Sequence, residues 1–113
     1  MRVYVRRLHK GCGLPEFTNF PVKYVEEGDF VAYCNCGFAL GGFAGSKTQL
    51  YLRDIYIEPT ARRGGLGGVL VNKLIKFSGA KTVLIFPTVA GEKFFKSLGF
   101  RRTKAGTMYK SYR

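Results

Sequence analysis

The sequence predicts an α/β fold on a mixed, mostly antiparallel sheet, and three observations point to it. Residues 50–68, LYLRDIYIEPTARRGGLGG, read as a strand that runs through a basic, glycine-rich turn into a helix. A second apolar strand and a short helix follow. Extended segments precede this strand-helix-strand unit and a hairpin closes the chain. Such a crossover places two parallel strands in one sheet, and the hairpins around it add antiparallel ones.

Each element has its own warrant. Residues 2–6 alternate around Val3 and Val5 and predict a short first strand; residues 20–24 predict another extended piece, with loop between. Residues 30–34 and 38–43 read as strands joined by a tight turn at Asn35, Cys36 and Gly37. Residues 44–49, with glycine and serine, read as a loop. The motif strand holds Tyr51, Leu52, Ile55, Tyr56 and Ile57, and it ends at about Glu58 because Pro59 cannot donate to a ladder.

Past the turn, Val69, Leu70, Val71, Leu74, Ile75 and Phe77 form an apolar run, with positions 66, 70, 74 and 77 on one helical face and an end near Ser78 and Gly79. Residues 83–86 are a continuous apolar strand stopped by Pro87. A shorter helix is expected over 90–98. Residues 100–103 and 107–112, with Ala105 and Gly106 between, read as a closing hairpin.

The turn carries the chemistry. Arg62, Arg63, Gly64, Gly65, Leu66, Gly67 and Gly68 put two guanidinium groups and four glycines at a helix start. Glycines let backbone N–H groups approach a phosphate, and the helix start adds roughly half a positive charge. Arginine adds charge-assisted hydrogen bonds. The plainer alternative is a glycine-rich turn with solvated arginines. A phosphate-binding P-loop would need a closing Gly-Lys-Ser/Thr, which is absent. The dinucleotide pattern G-x-G-x-x-G fails because Leu70 stands where its last glycine belongs.

The run R-x-x-G-x-G at Arg62, Gly65 and Gly67 resembles the acyl-CoA site of the GNAT superfamily, the Gcn5-related N-acetyltransferases. The phrase Phe94-Phe95-Lys96-Ser97-Leu98-Gly99-Phe100 is similar to that family's F-Y-x-x-L-G-F, and it follows the strand and short helix in the family's order. The resemblance covers residues 30–112. It implies a GNAT-like sheet whose crossover strands splay to admit acyl-CoA. It also implies an N-acetyltransferase that moves an acetyl group from acetyl-CoA to a primary amine. Backbone groups of Ile55, Tyr56 and Ile57 would then serve the pantetheine arm and the thioester carbonyl, and residues 62–68 would hold the pyrophosphate.

This chain departs from the family in four places. Two helices usually lie between the first and second strands and shape the acceptor pocket; here only about twenty residues, rich in Gly and Pro, are available. That implies an open acceptor side, suited to a protein or other large partner. Arg53 stands where many members carry a glutamate base, followed by Asp54. Asp54, on the alternate strand face from Arg53, is the candidate catalytic carboxylate, with a solvated or ion-paired role as the plainer reading. The family's tyrosine acid is Phe95 here, and its asparagine is Thr88. Tyr109 or Tyr112 could supply a hydroxyl, although aromatics on a terminal hairpin more often pack. These departures keep open an inactive GNAT-like module that binds coenzyme A, a nucleic acid or an acidic protein.

Composition sets the outer bounds. A chain of 113 residues is expected to form one domain, 1–113. Its 46% hydrophobic content, ten Phe and seven Tyr exclude a disordered chain, and no apolar stretch is long enough for a membrane-spanning helix. The start, MRVYVRRLHKG, has no following apolar segment, so no secretory signal is expected. Three cysteines, an odd number, argue against a disulfide scaffold and for the cytoplasm. His9, Cys12, Cys34 and Cys36 invite zinc, but C-x-C is not the usual knuckle spacing, and no metal is expected. Nineteen Lys and Arg against seven Asp and Glu leave +12. Coenzyme A uses part of that charge, and the surplus suits a nucleic acid, an acidic protein or simple solubility. No zinc-finger spacing, aromatic platform or recognition helix supports nucleic acid as the primary ligand. The oligomeric state, a homodimer among the options, stays open.

Overall fold

The computed structural model describes residues 2–8, 28–62, 64–87 and 89–112, with backbone alone at 89 and 90. Their strands are β1 (Tyr4–Arg7), β2 (Phe30–Cys34), β3 (Gly37–Ala44), β4 (Ser46–Ile57), β5 (Thr82–Ile85), β6 (Arg101–Arg102) and β7 (Met108–Ser111). Helix α1 (Leu66–Ser78) joins β4 to β5, and α2 (Val89–Ser97) follows β5. The sheet runs β1-β2-β3-β4-β5-β7-β6. Only β4 and β5 pair in parallel, which matches the mixed, mostly antiparallel sheet read from the sequence. No described helix is long and apolar enough to cross a membrane.

The expected loop over 44–49 is mostly strand. Gly45, at φ 78°, makes the turn alone, and Ser46 already pairs with Ala44. Ser46, Lys47 and Thr48 are exposed, so this stretch lacks the apolar alternation by which a half-buried strand is recognised. The extended piece expected at 20–24 lies outside the described residues.

Helix α1 packs Leu70, Val71, Leu74 and Ile75 onto a sheet face built from Phe30, Ala32, Ala39, Leu50, Leu52 and Val83. Its stripe follows the 3.6-residue turn through Gly67 and misses Phe77, which is half exposed and meets the Phe30 ring edge-on at 5.9 Å. The opposite face buries Leu8, Val31, Phe38 and Leu40, with Tyr33 and Tyr56 beside them.

Two irregularities in β4 prepare the site. The first is a bulge. Gly41 faces Leu52 but Leu40 faces Asp54, so Arg53 is an extra residue. Directly opposed residues share a sheet face, so the alternation restarts: Leu52 and Ile55 both face α1, and Arg53 and Asp54 both face the other way. The expectation that Arg53 and Asp54 point to alternate faces is thereby corrected. The second is an early divergence. Gln49, Leu50 and Tyr51 pair with Thr82, Val83 and Leu84, and beyond them β4 runs on to Ile57 without β5 beside it.

Candidate active site

The wedge between β4 and β5 opens into a cavity of about 830 Å³. Four segments wall it: β4 from Arg53 to Ile57, the turn and start of α1, the end of β5 with Phe86 and Pro87, and α2. Asp54, Ile55, Tyr56, Ile57, Arg62, Gly65, Leu66, Gly67 and Gly68 all line it. Gly64 lies in the turn but not in the wall, and Arg63 lies outside the described residues.

Gly65 sits in the left-handed region, at φ 78°, and caps α1; its carbonyl accepts the Val69 N–H at 3.2 Å. Among the described residues no side chain caps this end, and no acidic residue occupies its first turn. The first N–H groups therefore have no acceptor within the helix, and the positive end of its dipole lies in the cavity wall. Arg62 donates its Nε–H to the Ile57 carbonyl at 2.9 Å, which fastens this cation to the strand end. Gly67 has a second role. A Cβ there would run into the Phe94 ring, so its bare backbone lets α2 lie against the start of α1.

On the face opposite α1, Arg53 and Asp29 form an ion pair. Arg53 donates its Nε–H to both carboxylate oxygens of Asp29, at 3.1 and 3.2 Å. Asp29 is only 2% exposed, and the Arg53 guanidinium lies 5.5 Å from the Tyr51 ring centroid. Gly42 makes room, since a Cβ there would collide with Asp29 Oδ1. Sequence reading missed Asp29; the available signal was a carboxylate immediately before an apolar strand. Asp54 keeps a buried Oδ2 with no hydrogen-bond partner among the described residues.

Phe95 also lines the cavity; it is buried against Phe94 and Phe100 and offers no hydroxyl. Neither Tyr109 nor Tyr112 lines the cavity, and burial pushes the Tyr112 hydroxyl up to about 12. Thr88, His9 and Cys12 lie outside the described residues. Among the described residues Cys34 and Cys36 are free thiols, and no three His, Cys, Asp or Glu side chains gather.

The family model for the acetyltransferase (GNAT) domain matches residues 23–102. Ard1 from Thermoplasma volcanium aligns over 98% of both chains at 16% identity, with a TM-score of 0.62. N-acetylglutamate synthase from Neisseria gonorrhoeae, solved with coenzyme A and L-arginine, aligns over 98% of this chain and 33% of its own, at 14% identity and a TM-score of 0.69. A Bacillus subtilis acetyltransferase in complex with CoA aligns over 75% of this chain and 76% of its own, at 14% identity and a TM-score of 0.53. At these identities the likeness is one of fold. No curated protein matches the chain by sequence.

Proposed function

Because the chain belongs to the GNAT acetyltransferase family, we propose that it transfers an acetyl group from acetyl-CoA to a primary amine of a protein or other large partner. One observation carries the reading: a single cavity gathers β4 beyond its ladder with β5, the uncapped start of α1 and Arg62. The solved synthase and Bacillus relatives bind coenzyme A, which supports the same donor here.

The first N–H groups of α1 and the Arg62 guanidinium hold the pyrophosphate. Backbone groups of Ile55, Tyr56 and Ile57 orient the pantetheine arm and polarise the thioester carbonyl. Fixing amine and thioester side by side removes much of the entropic barrier. Asp54 takes the proton released as the C–N bond forms and the C–S bond breaks. A thiol of pKa about 8.5 leaves readily as thiolate, and water protonates it in place of the hydroxyl that Phe95 lacks.

The ion-paired Arg53 and the buried Phe95 favour a second reading, a module that binds coenzyme A, a nucleic acid or an acidic protein without turnover. Calorimetric titration with acetyl-CoA at moderate salt, on the wild type and an Arg62→Ala, Gly65→Glu variant, tests the donor site. Saturable one-to-one binding lost in the variant, with thiol release that depends on an added amine, supports the acetyltransferase. Binding without release selects the second reading, and no binding sinks the donor assignment. Steeply salt-dependent affinity for nucleic acid without turnover identifies a basic docking module.

A further inference from the structure

Positive charge is not spread evenly along this chain. Residues 59–113 carry twelve Lys and Arg and one carboxylate, Glu92, so all but one of the twelve surplus positive charges lie beyond β4. Glu92 is itself paired with Arg102. In this half of the molecule, directly opposed residues form one row across four strands: Tyr51 on β4, Leu84 on β5, Tyr109 on β7 and Arg101 on β6. Their neighbours Leu50 and Val83 pack under α1, which turns this row to the opposite face. A second row, Gln49, Thr82 and Ser111, runs beside it. No residue of either row is buried, whereas Val31, Phe38 and Leu40 at the β2–β3 end of the same face are. Neither row lines the donor cavity. Phe86, at the cavity mouth, meets the Tyr51 ring at 5.7 Å, so the open face stops where the cavity begins.

Tyr51 and Tyr109 stand two strand spacings apart, roughly 10 Å. Arg101 is exposed at the end of their row; Lys81, beside Thr82, and Lys104, in the turn between β6 and β7, are exposed as well. Flat rings on which bases stack, with cations that follow the phosphates, are what a single-stranded nucleic acid needs. A second copy of this chain would set like charge against like charge. An acidic polypeptide would satisfy the cations and leave the tyrosines without flat partners. We propose that this face docks single-stranded RNA, apart from the donor cavity and independently of acetyl transfer. Bases stack on Tyr51 and Tyr109 with Leu84 as the apolar floor between them, and Arg101 takes a phosphate. The amide and hydroxyls of Gln49, Thr82 and Ser111 give the ribose 2′-OH, both donor and acceptor, its partners, which favours RNA over DNA.

Fluorescence anisotropy of a labelled RNA strand of about 12 nucleotides tests the assignment on the full chain. Its competitors are the unlabelled strand, the deoxy strand of the same sequence, the RNA duplex and polyglutamate. Binding should weaken steeply between about 50 and about 200 mM salt, and the unlabelled RNA strand should compete best. Tyr109→Ala should weaken binding about fivefold or more, the low end of what one stacked base contributes, and Tyr109→Phe, which keeps the ring, should retain it. Arg101→Ala should weaken binding and lower the salt slope by about one. Lys73→Ala removes an exposed charge from α1 instead and should change both far less. Thermal midpoints separate lost docking from lost folding, and the exposed Arg101 keeps the test open if Tyr109→Ala melts early. No binding, full affinity in both Tyr109→Ala and Arg101→Ala, or equal losses from Arg101→Ala and Lys73→Ala overturn the docking site. Duplex or polyglutamate competing as well as the single strand overturns it too, and a deoxy strand that competes equally overturns the assignment to RNA.

Discussion

At the scale of single residues, the Asp29–Arg53 pair fixes one part of the cavity wall. Removing one member of a buried pair strands the other charge, whereas replacing both with apolar groups is nearly neutral. Asp29→Ala should therefore cost about 3 kcal/mol. The double change Asp29→Ala, Arg53→Met should cost less than that single one. Urea unfolding checks both, and a double variant no more stable than Asp29→Ala would show that the pair is not what holds this corner. Tyr112 makes a second prediction. Its hydroxyl is raised to about 12 by burial, against about 10 in an unfolded chain. The raised value favours the protonated folded state, so its contribution is whole below pH about 10 and is lost as pH rises toward about 12. Thermal midpoints should fall across that window, and Tyr112→Phe should flatten the fall; equal declines in both proteins rule the contribution out. The sequence exposed Arg53 as a departure from the family. It showed Asp29 only as a carboxylate before an apolar strand and not as the partner of Arg53, because a pairing across 24 residues depends on strand register.

At the scale of elements, the strand-turn-helix unit was legible because its signals are local: a proline that stops β4, glycines at the turn and a helical stripe beyond. The bulge was not. Period-two reading carries Arg53 and Asp54 to opposite faces, and one extra residue opposite Leu40 and Gly41 undoes it without any mark in composition. The α1–α2 contact was equally hidden, since Gly67 and Gly68 look interchangeable in sequence. Their surroundings separate them. A Cβ at Gly67 meets the Phe94 ring, while one at Gly68 sits 3.3 Å from the end of the flexible Leu98 side chain. Gly67→Ala should cost about 1–3 kcal/mol, the usual range for overpacking, and weaken acetyl-CoA binding by pushing α2 off the helix start. Gly68→Ala should cost less. Melting curves and calorimetry on the two variants give the comparison, and equal losses would remove the special role given to Gly67.

At the scale of the whole molecule, the charge of +12 acts on a chain whose radius of gyration is 13.2 Å. Like charges at that spacing oppose the compact state, and a screening length of about 10 Å at 0.1 M salt is short enough to weaken the repulsion. The thermal midpoint should therefore rise as sodium chloride goes from about 10 mM to about 200 mM, even as acetyl-CoA affinity falls through screening of its phosphates. Phosphate separates general screening from a built anion site. At matched ionic strength it should raise the midpoint further than chloride, because binding to the folded state alone adds stability. That increment should vanish in the Arg62→Ala, Gly65→Glu variant if the start of α1 is where the anion sits. Equal midpoints in the two salts would leave the turn without an anion site, and a midpoint that falls with salt would mean that ion pairs, rather than net repulsion, govern this basic surface.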